Sequence, residues 1–278
     1  MGFLDFFNSK EEKVNIEESI KTEIDFSNFE LISQYIYKKS GIIDLDKRAL
    51  VFTRLKQFAQ DIGVLDTSSF LNKMKNEENF YQKVINIVTV NETYFMREYH
   101  ELEWLVKYVK SIDRKVKILS LPSSSGEETY SILIMLELAG IDMNKIEIKG
   151  YDINSEAVSD AYSGYYNTHS LHKVDSDIKD KYFMKDTSSL YQIKEEFRNK
   201  AKFEQKNIFE LNNENEKYDI VLSRNMFIYF DMKKRVEAVN VIVSLLKKDG
   251  IYIKGHADNI ETHPKLENIA FGIYKKIN

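Results

Sequence analysis

From Val116 onward, short β-branched runs alternate with stretches of helical period, and this alternation restricts the chain more than any other feature. Strands are expected at 116–121, 146–152, near 201–206, at 218–223 and 251–255, with a last strand around 269–274. Helices are expected at 127–139, 154–163 and 231–247. Such an order predicts a parallel sheet covered by helices on both faces, joined by right-handed crossovers. In sheets of this kind, ligands bind beyond the carboxyl ends of the strands. The small-residue turn Leu121-Pro-Ser-Ser-Ser-Gly126, between the first strand and its helix, therefore reads as a ligand cradle. Gly126 allows close backbone approach, and the opening N–H groups of the helix face the strand ends.

The other strand ends are polar. The second closes on Tyr151-Asp152, an acid placed to accept hydrogen bonds from a ribose hydroxyl pair. Asn207 follows the strand near 201–206, and Arg224-Asn225 follows Ser223. Each alone fits a helix cap; four together point to a ligand. No Gly-x-Gly-x-x-Gly is present to seat a dinucleotide pyrophosphate, and no Gly-Lys-Ser/Thr to seat a nucleotide triphosphate. A nucleoside ligand without phosphates fits, and S-adenosylmethionine is the common cofactor of that type. Glu127 or Glu128 suits its positive amino-acid end, and Asn207 and Asn225 are placed for its adenine.

The rest of the sequence narrows the chemistry. The chain has 278 residues and no cysteine, which removes disulfides, thiolate metal sites and cysteine nucleophiles. His100, His169, His172, His256 and His263 show no ligand spacing with nearby carboxylates, so no metal is expected. Ser125-Gly126 lacks the flanking glycine of a nucleophile elbow. A net charge of −4 argues against nucleic acid as partner. No secretory signal or long apolar run is seen, so a cytoplasmic protein without membrane insertion is expected.

Residues 1–25 read as a tail. Residues 26–90 read as a small helical domain: Phe29, Ile32 and Ile36 recur at helical spacing up to Ser40-Gly41, and Leu45, Ala49, Phe52, Leu55 and Ala59 mark a second helix. The opposite face of that helix is expected to carry Lys47, Arg48, Arg54 and Lys56. Asp66 caps a third helix, and a fourth runs from Phe80 to Val90. Residues 91–278 form the main domain, with an insertion at about 164–199 where the alternation lapses.

Several blocks in order resemble the chemotaxis receptor methyltransferases, the CheR family. They are Asn91-Glu-Thr-Tyr-Phe-Met-Arg97, Ser124-Ser-Gly-Glu-Glu-Thr-Tyr-Ser131, Tyr151-Asp-Ile-Asn154 with Ala161-Tyr-Ser-Gly-Tyr165, and Tyr218-Asp-Ile-Val-Leu-Ser-Arg-Asn-Met-Phe-Ile-Tyr-Phe-Asp231. The resemblance implies a Rossmann-like class I methyltransferase sheet, a helical amino-terminal domain that docks receptor, and a small β-subdomain in the insertion. It implies S-adenosylmethionine-dependent methyl esterification of receptor glutamates, with S-adenosylhomocysteine as product. Carried over by residue, Asn91, Thr93, Arg97, Gly126, Glu127, Glu128, Asp152, Asn207, Ile208, Asn225 and Met226 hold the cofactor. Arg97 and Tyr229 face the methyl group and the incoming carboxylate, and the basic set Lys47, Arg48, Arg54 and Lys56 meets the acidic methylation helices. The insertion lacks a Gly-Arg-Arg loop of the kind that captures a receptor carboxyl-terminal pentapeptide, so a pentapeptide-independent enzyme is expected; a monomer is expected as well. A module that binds S-adenosylmethionine without turnover stays open as an alternative.

Overall fold

A computed structural model describes residues 25–45, 47–89, 92–186 and 189–277. The tail, except Asp25, thus lies outside the described residues, as does Asn91. Four helices come first: α1 (Phe29–Ser40), α2 (Ala49–Asp61), α3 (Thr67–Asn76) and α4 (Glu78–Val88). Helix α1 stops at Gly41, whose φ of 74° suits a residue without Cβ and whose N–H donates to the Tyr37 carbonyl at 2.8 Å. Asp66 caps α3 by accepting from the Ser69 N–H at 2.9 Å. Phe29, Ile32, Ile36, Leu55, Phe70, Val84 and Val88 are buried among these helices in a core of their own. On α2 the buried stripe is Val51, Leu55 and Ala59, and Ala49, expected inside, is exposed because the helix only begins there.

Helix α5 (Tyr99–Lys110) leads into the sheet, formed by β1 (Val116–Ser120), β2 (Ile146–Asp152), β6 (Ala201–Gln205), β7 (Tyr218–Ser223), β8 (Leu246–Lys254), β9 (Leu266–Ala270) and β10 (Ile273–Lys276). The helices α6 (Glu127–Leu138), α7 (Ser155–Ser163) and α10 (Met232–Leu245) cross between strands. Strand order is β6-β2-β1-β7-β8-β10-β9, with the first five parallel and β10 antiparallel to both neighbours. All six residues of β7 are buried, as expected for a strand covered on both faces. The apolar run at 269–274, expected as one strand, is a hairpin: Phe271-Gly272 turns the chain, with Gly272 at φ 69°.

The segment 164–199 holds β3 (Tyr165–Tyr166), α8 (Ser176–Tyr182), β4 (Phe183–Lys185), β5 (Tyr191–Ile193) and α9 (Glu195–Arg198), and its strands pair antiparallel in the order β3-β5-β4. Among the described residues no helix is long and apolar enough to cross a membrane.

The amino-terminal helices are tied to the sheet at several points. Tyr37 Oη donates to Asp231 at 2.9 Å, the Ile43 N–H donates to the Tyr229 carbonyl at 3.1 Å, and Gln82 Nε2 donates to the Ile153 carbonyl at 2.9 Å. Asn154 Nδ2 donates to Thr89 Oγ1 at 2.8 Å. Gly41 lies so close to Phe209 that an added Cβ would come within 2.6 Å of its ring. The helices therefore roof the carboxyl end of the sheet.

Candidate functional site

Strand order reverses between β1 and β7, because β1 leads outward through β2 to β6 on one side and β7 begins the other. A cleft opens at that point. Its walls include Leu121, Pro122, Ser123 and Ser124 after β1, Asp152 and Ile153 at β2, Lys206, Asn207 and Ile208 after β6, and Arg224, Asn225 and Met226 after β7. The amino-terminal side adds Ser40, Ile42, Thr89, Thr93, Tyr94 and Arg97, and Tyr229 and Phe230 close it. Thr93, Arg97, Glu128, Asp152, Asn207, Ile208, Asn225, Met226 and Tyr229, dispersed in sequence, thus share one cavity.

Asp152 is buried at the cleft wall. Its Oδ1 accepts from the Asn154 N–H at 2.8 Å and its Oδ2 from the Ser124 N–H at 2.7 Å. Burial pushes its carboxyl up to about 6, against the pull of those backbone N–H groups. Each oxygen keeps acceptor capacity for a ligand.

Arg224 organises the neighbouring wall. Its side chain is 3% exposed. Nη1 donates to Glu128 Oε2 at 2.6 Å, Nε donates to Glu98 Oε2 at 3.2 Å, and Nη2 donates to the Arg97 carbonyl. Glu128 also accepts from Ser120 Oγ at 2.8 Å. One guanidinium thus fixes the first turn of α6 and the entry to α5.

The Glu92–Glu98 segment needs such restraint, because Met96 and Glu98 hold φ of 61° and 49°, a region costly for non-glycine residues. Besides Arg224, the Met96 N–H donates to Ser131 Oγ at 2.9 Å and the Phe95 N–H to the Ser170 carbonyl at 2.9 Å. Arg97 Nη1 donates to the Glu92 carbonyl at 2.6 Å, and its guanidinium lies 5.7 Å from the Tyr94 ring centroid.

After β7, Asn225 takes φ 61°, and Asp258 holds the turn by accepting from the N–H groups of Asn225 at 2.5 Å, Gly255 at 3.1 Å and Phe227 at 2.8 Å. Asn207 is a cap as well as a wall. Its Oδ1 accepts from the Phe209 N–H at 3.1 Å, and its Nδ2 donates to the Lys39 carbonyl at 2.9 Å.

Three expectations are corrected. Glu127 turns away from the cleft: its buried carboxyl accepts from Ser125 Oγ at 2.8 Å, and burial pushes it above the usual carboxylate range. Of the adjacent pair, Glu128 faces the cleft. Gly126, at φ 93°, supports it from behind, where a Cβ would meet Ala161, Phe203 and Tyr130 at 3.0–3.1 Å. The basic set, finally, does not share one face of a helix. Lys47 and Arg48 precede α2, while Arg54 and Lys56 are separated by about 160° around its axis. Lys47 Nζ pairs with Asp44 at 2.7 Å, and Lys56 Nζ lies 4.9 Å from the Phe52 ring centroid. Arg48 instead lies over Tyr229, its guanidinium 4.8 Å from the ring centroid. Sequence reasoning named Arg224 only as a strand end, placed Ser124 in the cradle turn without a role of its own, and missed Glu98 and Asp258. The Gly255-His-Ala-Asp258 turn after a strand was the available signal for Asp258.

The doubly wound sheet, with β10 antiparallel between β8 and β9, an acid closing β2 and a cleft at the reversal, has the architecture of a Rossmann-like class I methyltransferase. Residues 91–274 match the family model described as CheR methyltransferase, SAM binding domain. The chemotaxis protein methyltransferase of Campylobacter jejuni is 34% identical over 226 residues, covering 81% of this chain and 86% of that protein. Its counterpart in Salmonella typhimurium is 31% identical over 241 residues, 84% of each chain. Chemotaxis protein methyltransferase 2 of Vibrio cholerae is 32% identical over 284 residues, 94% of this chain and 96% of that one. This chain belongs to the CheR methyltransferase family and is an S-adenosylmethionine-dependent methyltransferase.

The cleft fits that cofactor on its own chemistry. Asp152 offers acceptor capacity, and Ser123 Oγ and Ser124 Oγ are buried without a hydrogen-bond partner beside it. Apolar walls come from Leu121, Ile153, Ile208, Met226 and Phe230.

Proposed function

We propose that this chain esterifies glutamate side chains on the cytoplasmic methylation helices of chemoreceptors. The observation that carries the reading is Tyr229 at the cleft wall, with one guanidinium over its ring and a second lining the same cleft. Arg48 lies over its ring, and both Arg48 and Arg97 act on its phenol electrostatically, against the burial that raises its pKa. Two cations beside a cleft favour an anionic acceptor over an amine or a nucleobase.

When bound, the cofactor supplies a methyl group on a sulfonium, an excellent leaving group. A glutamate is ionised near neutral pH and needs no general base. What the protein must do is hold, align and dry the reactants. In this reading Asp152 accepts the ribose hydroxyls, Glu128 on its Arg224 support meets the amino-acid end, and Asn207, Ile208, Asn225 and Met226 frame the adenine. Thr93 and Asn91 contribute from the segment before α5. Arg97 orients the carboxylate without activating it, since strong pairing damps a nucleophile, and Tyr229 and Arg48 complete the acceptor side. Incubation with methyl-labelled S-adenosylmethionine and a chemoreceptor cytoplasmic fragment tests the reading. Label released as methanol by mild base, and lost when target glutamates become alanine, is expected; base-stable label would mean another acceptor.

Binding of the cofactor product S-adenosylhomocysteine should depend on Asp152. A ligand whose hydroxyls donate to the ionised carboxylate binds more tightly as pH rises through about 6 and weakens below it, because protonation removes acceptor capacity. Folding carries the opposite sign: burial raises this pKa, so ionisation on going from about pH 4 to 6 costs the free protein stability. Calorimetry across this range should show the affinity step in the wild type and lose it in Asp152→Asn. A step unchanged in the variant would place its origin elsewhere.

Receptor docking in this reading uses the basic residues Lys47, Arg54 and Lys56 of the amino-terminal helices, on more than one flank of α2, so receptor affinity should fall as salt rises. Charge reversal of Arg54 and Lys47 together should weaken it several-fold; affinity indifferent to both would contradict this docking surface. Because the 164–199 segment has no Gly-Arg-Arg sequence, a receptor fragment trimmed at its carboxyl terminus should be methylated as fast as the intact one.

A further inference from the structure

We propose that Glu98, Glu101 and His256 form a site for a divalent transition-metal ion, separate from the methyl-transfer residues. Glu98 precedes α5, Glu101 lies one turn on, and His256 follows β8. One ligand atom from each lies within 4.8 Å of the other two. Sequence spacing expected no metal, because the imidazole comes from a distant part of the chain and only the sheet brings it to the helix start.

The carboxylates themselves indicate a cation. Glu101 is 4% exposed, and its Oε1 meets His256 Nε2 at 2.5 Å. Its Oε2 is buried with no hydrogen-bond partner among the described residues, a costly state for a carboxylate. Glu98 has the opposite character: its Oε2 accepts from Arg224 Nε and from the His256 N–H, both at 3.2 Å. Those two donors fix the orientation of its carboxylate and leave Oε1 available, the arrangement seen where an outer shell positions a ligand. Charge points the same way. Arg224 is shared by Glu98 and Glu128, which leaves Glu101, among the described residues, with an imidazole as its one charge partner.

Acidic residues in the first turn of α5 would also suit the helix dipole. That accounts for their position in sequence but not for the open oxygen of Glu101 or for the histidine set against it. One imidazole nitrogen with two carboxylates, and no thiolate, suits Zn²⁺, Co²⁺ or Mn²⁺ better than Mg²⁺ or Ca²⁺. The His256 side chain is 47% exposed and provides the way in.

The full-length chain, stripped with chelator, should be titrated with Zn²⁺ against a chromophoric chelator and with Co²⁺ followed by visible absorption. One equivalent of tight binding with visible Co²⁺ bands is expected. His256→Ala and Glu101→Gln should each weaken it by at least about tenfold. His169→Ala, in the exposed pair His169–His172, should leave it unchanged. If Glu101→Gln fails to fold by circular dichroism, His256→Ala decides, since that side chain is half exposed. Absence of saturable binding, binding indifferent to His256→Ala, or binding lost in His169→Ala would each overturn the assignment.

Discussion

Arg224→Met should destabilise the protein by about 3–5 kcal/mol, because the substitution strands Glu98 and Glu128 in a buried site without their shared countercharge. In a chain of this size the loss lowers Tm by on the order of 10 °C. Cofactor-product affinity should fall with it, since Glu128 and the Arg97 backbone lose the group that positions them. Arg224→Lys should recover only part of either loss, because an ammonium cannot reach three acceptors with a planar fork. Thermal unfolding followed by circular dichroism measures the first effect and calorimetry the second. A Tm within a few degrees of the wild type would show that Arg224 does not hold the wall together.

Arg97→Ala has the largest expected effect on the reaction itself. The guanidinium leaves the cleft, but the main chain stays anchored through its carbonyl and through Met96 and Phe95. Cofactor-product affinity should therefore change by less than about tenfold, whereas single-turnover methyl transfer should slow by about 100-fold, as expected when a reacting group is misplaced. Equal loss of binding and rate would make Arg97 a binding residue only. Full-rate transfer would remove it from the acceptor side altogether.

Much of this was readable in the sequence because strand ends carry their chemistry with them. Once the alternation after Val116 fixes a parallel sheet, Asp152, Asn207 and Asn225 must gather at one edge, whatever their separation in the chain. What the sequence hides is rotation and long-range partnership. Glu127 and Glu128 are equivalent on paper, yet a turn of about 100° between neighbours sends one towards Ser125 and the other to Arg224. Likewise, Lys47, Arg48, Arg54 and Lys56 look like a basic face in sequence. Helix α2 begins after the first two and turns the last two to opposite flanks, leaving Arg48 against Tyr229. The hairpin at Phe271-Gly272 was overlooked because apolar residues run through it, although Gly272 marked the turn. The Glu101–His256 pair rests on a contact between distant segments, which no local pattern announces.

The central claim is that the cleft at the β1/β7 reversal binds the nucleoside cofactor through Asp152. Calorimetric titration with S-adenosylhomocysteine at neutral pH, comparing wild type with Asp152→Ala, tests it most directly. One site per chain in the wild type, weakened at least about tenfold in the variant while the fold persists by circular dichroism, is the predicted result, since a buried carboxylate accepting ligand hydrogen bonds contributes about 1.5–3 kcal/mol per bond. Equal affinity in both proteins would contradict it.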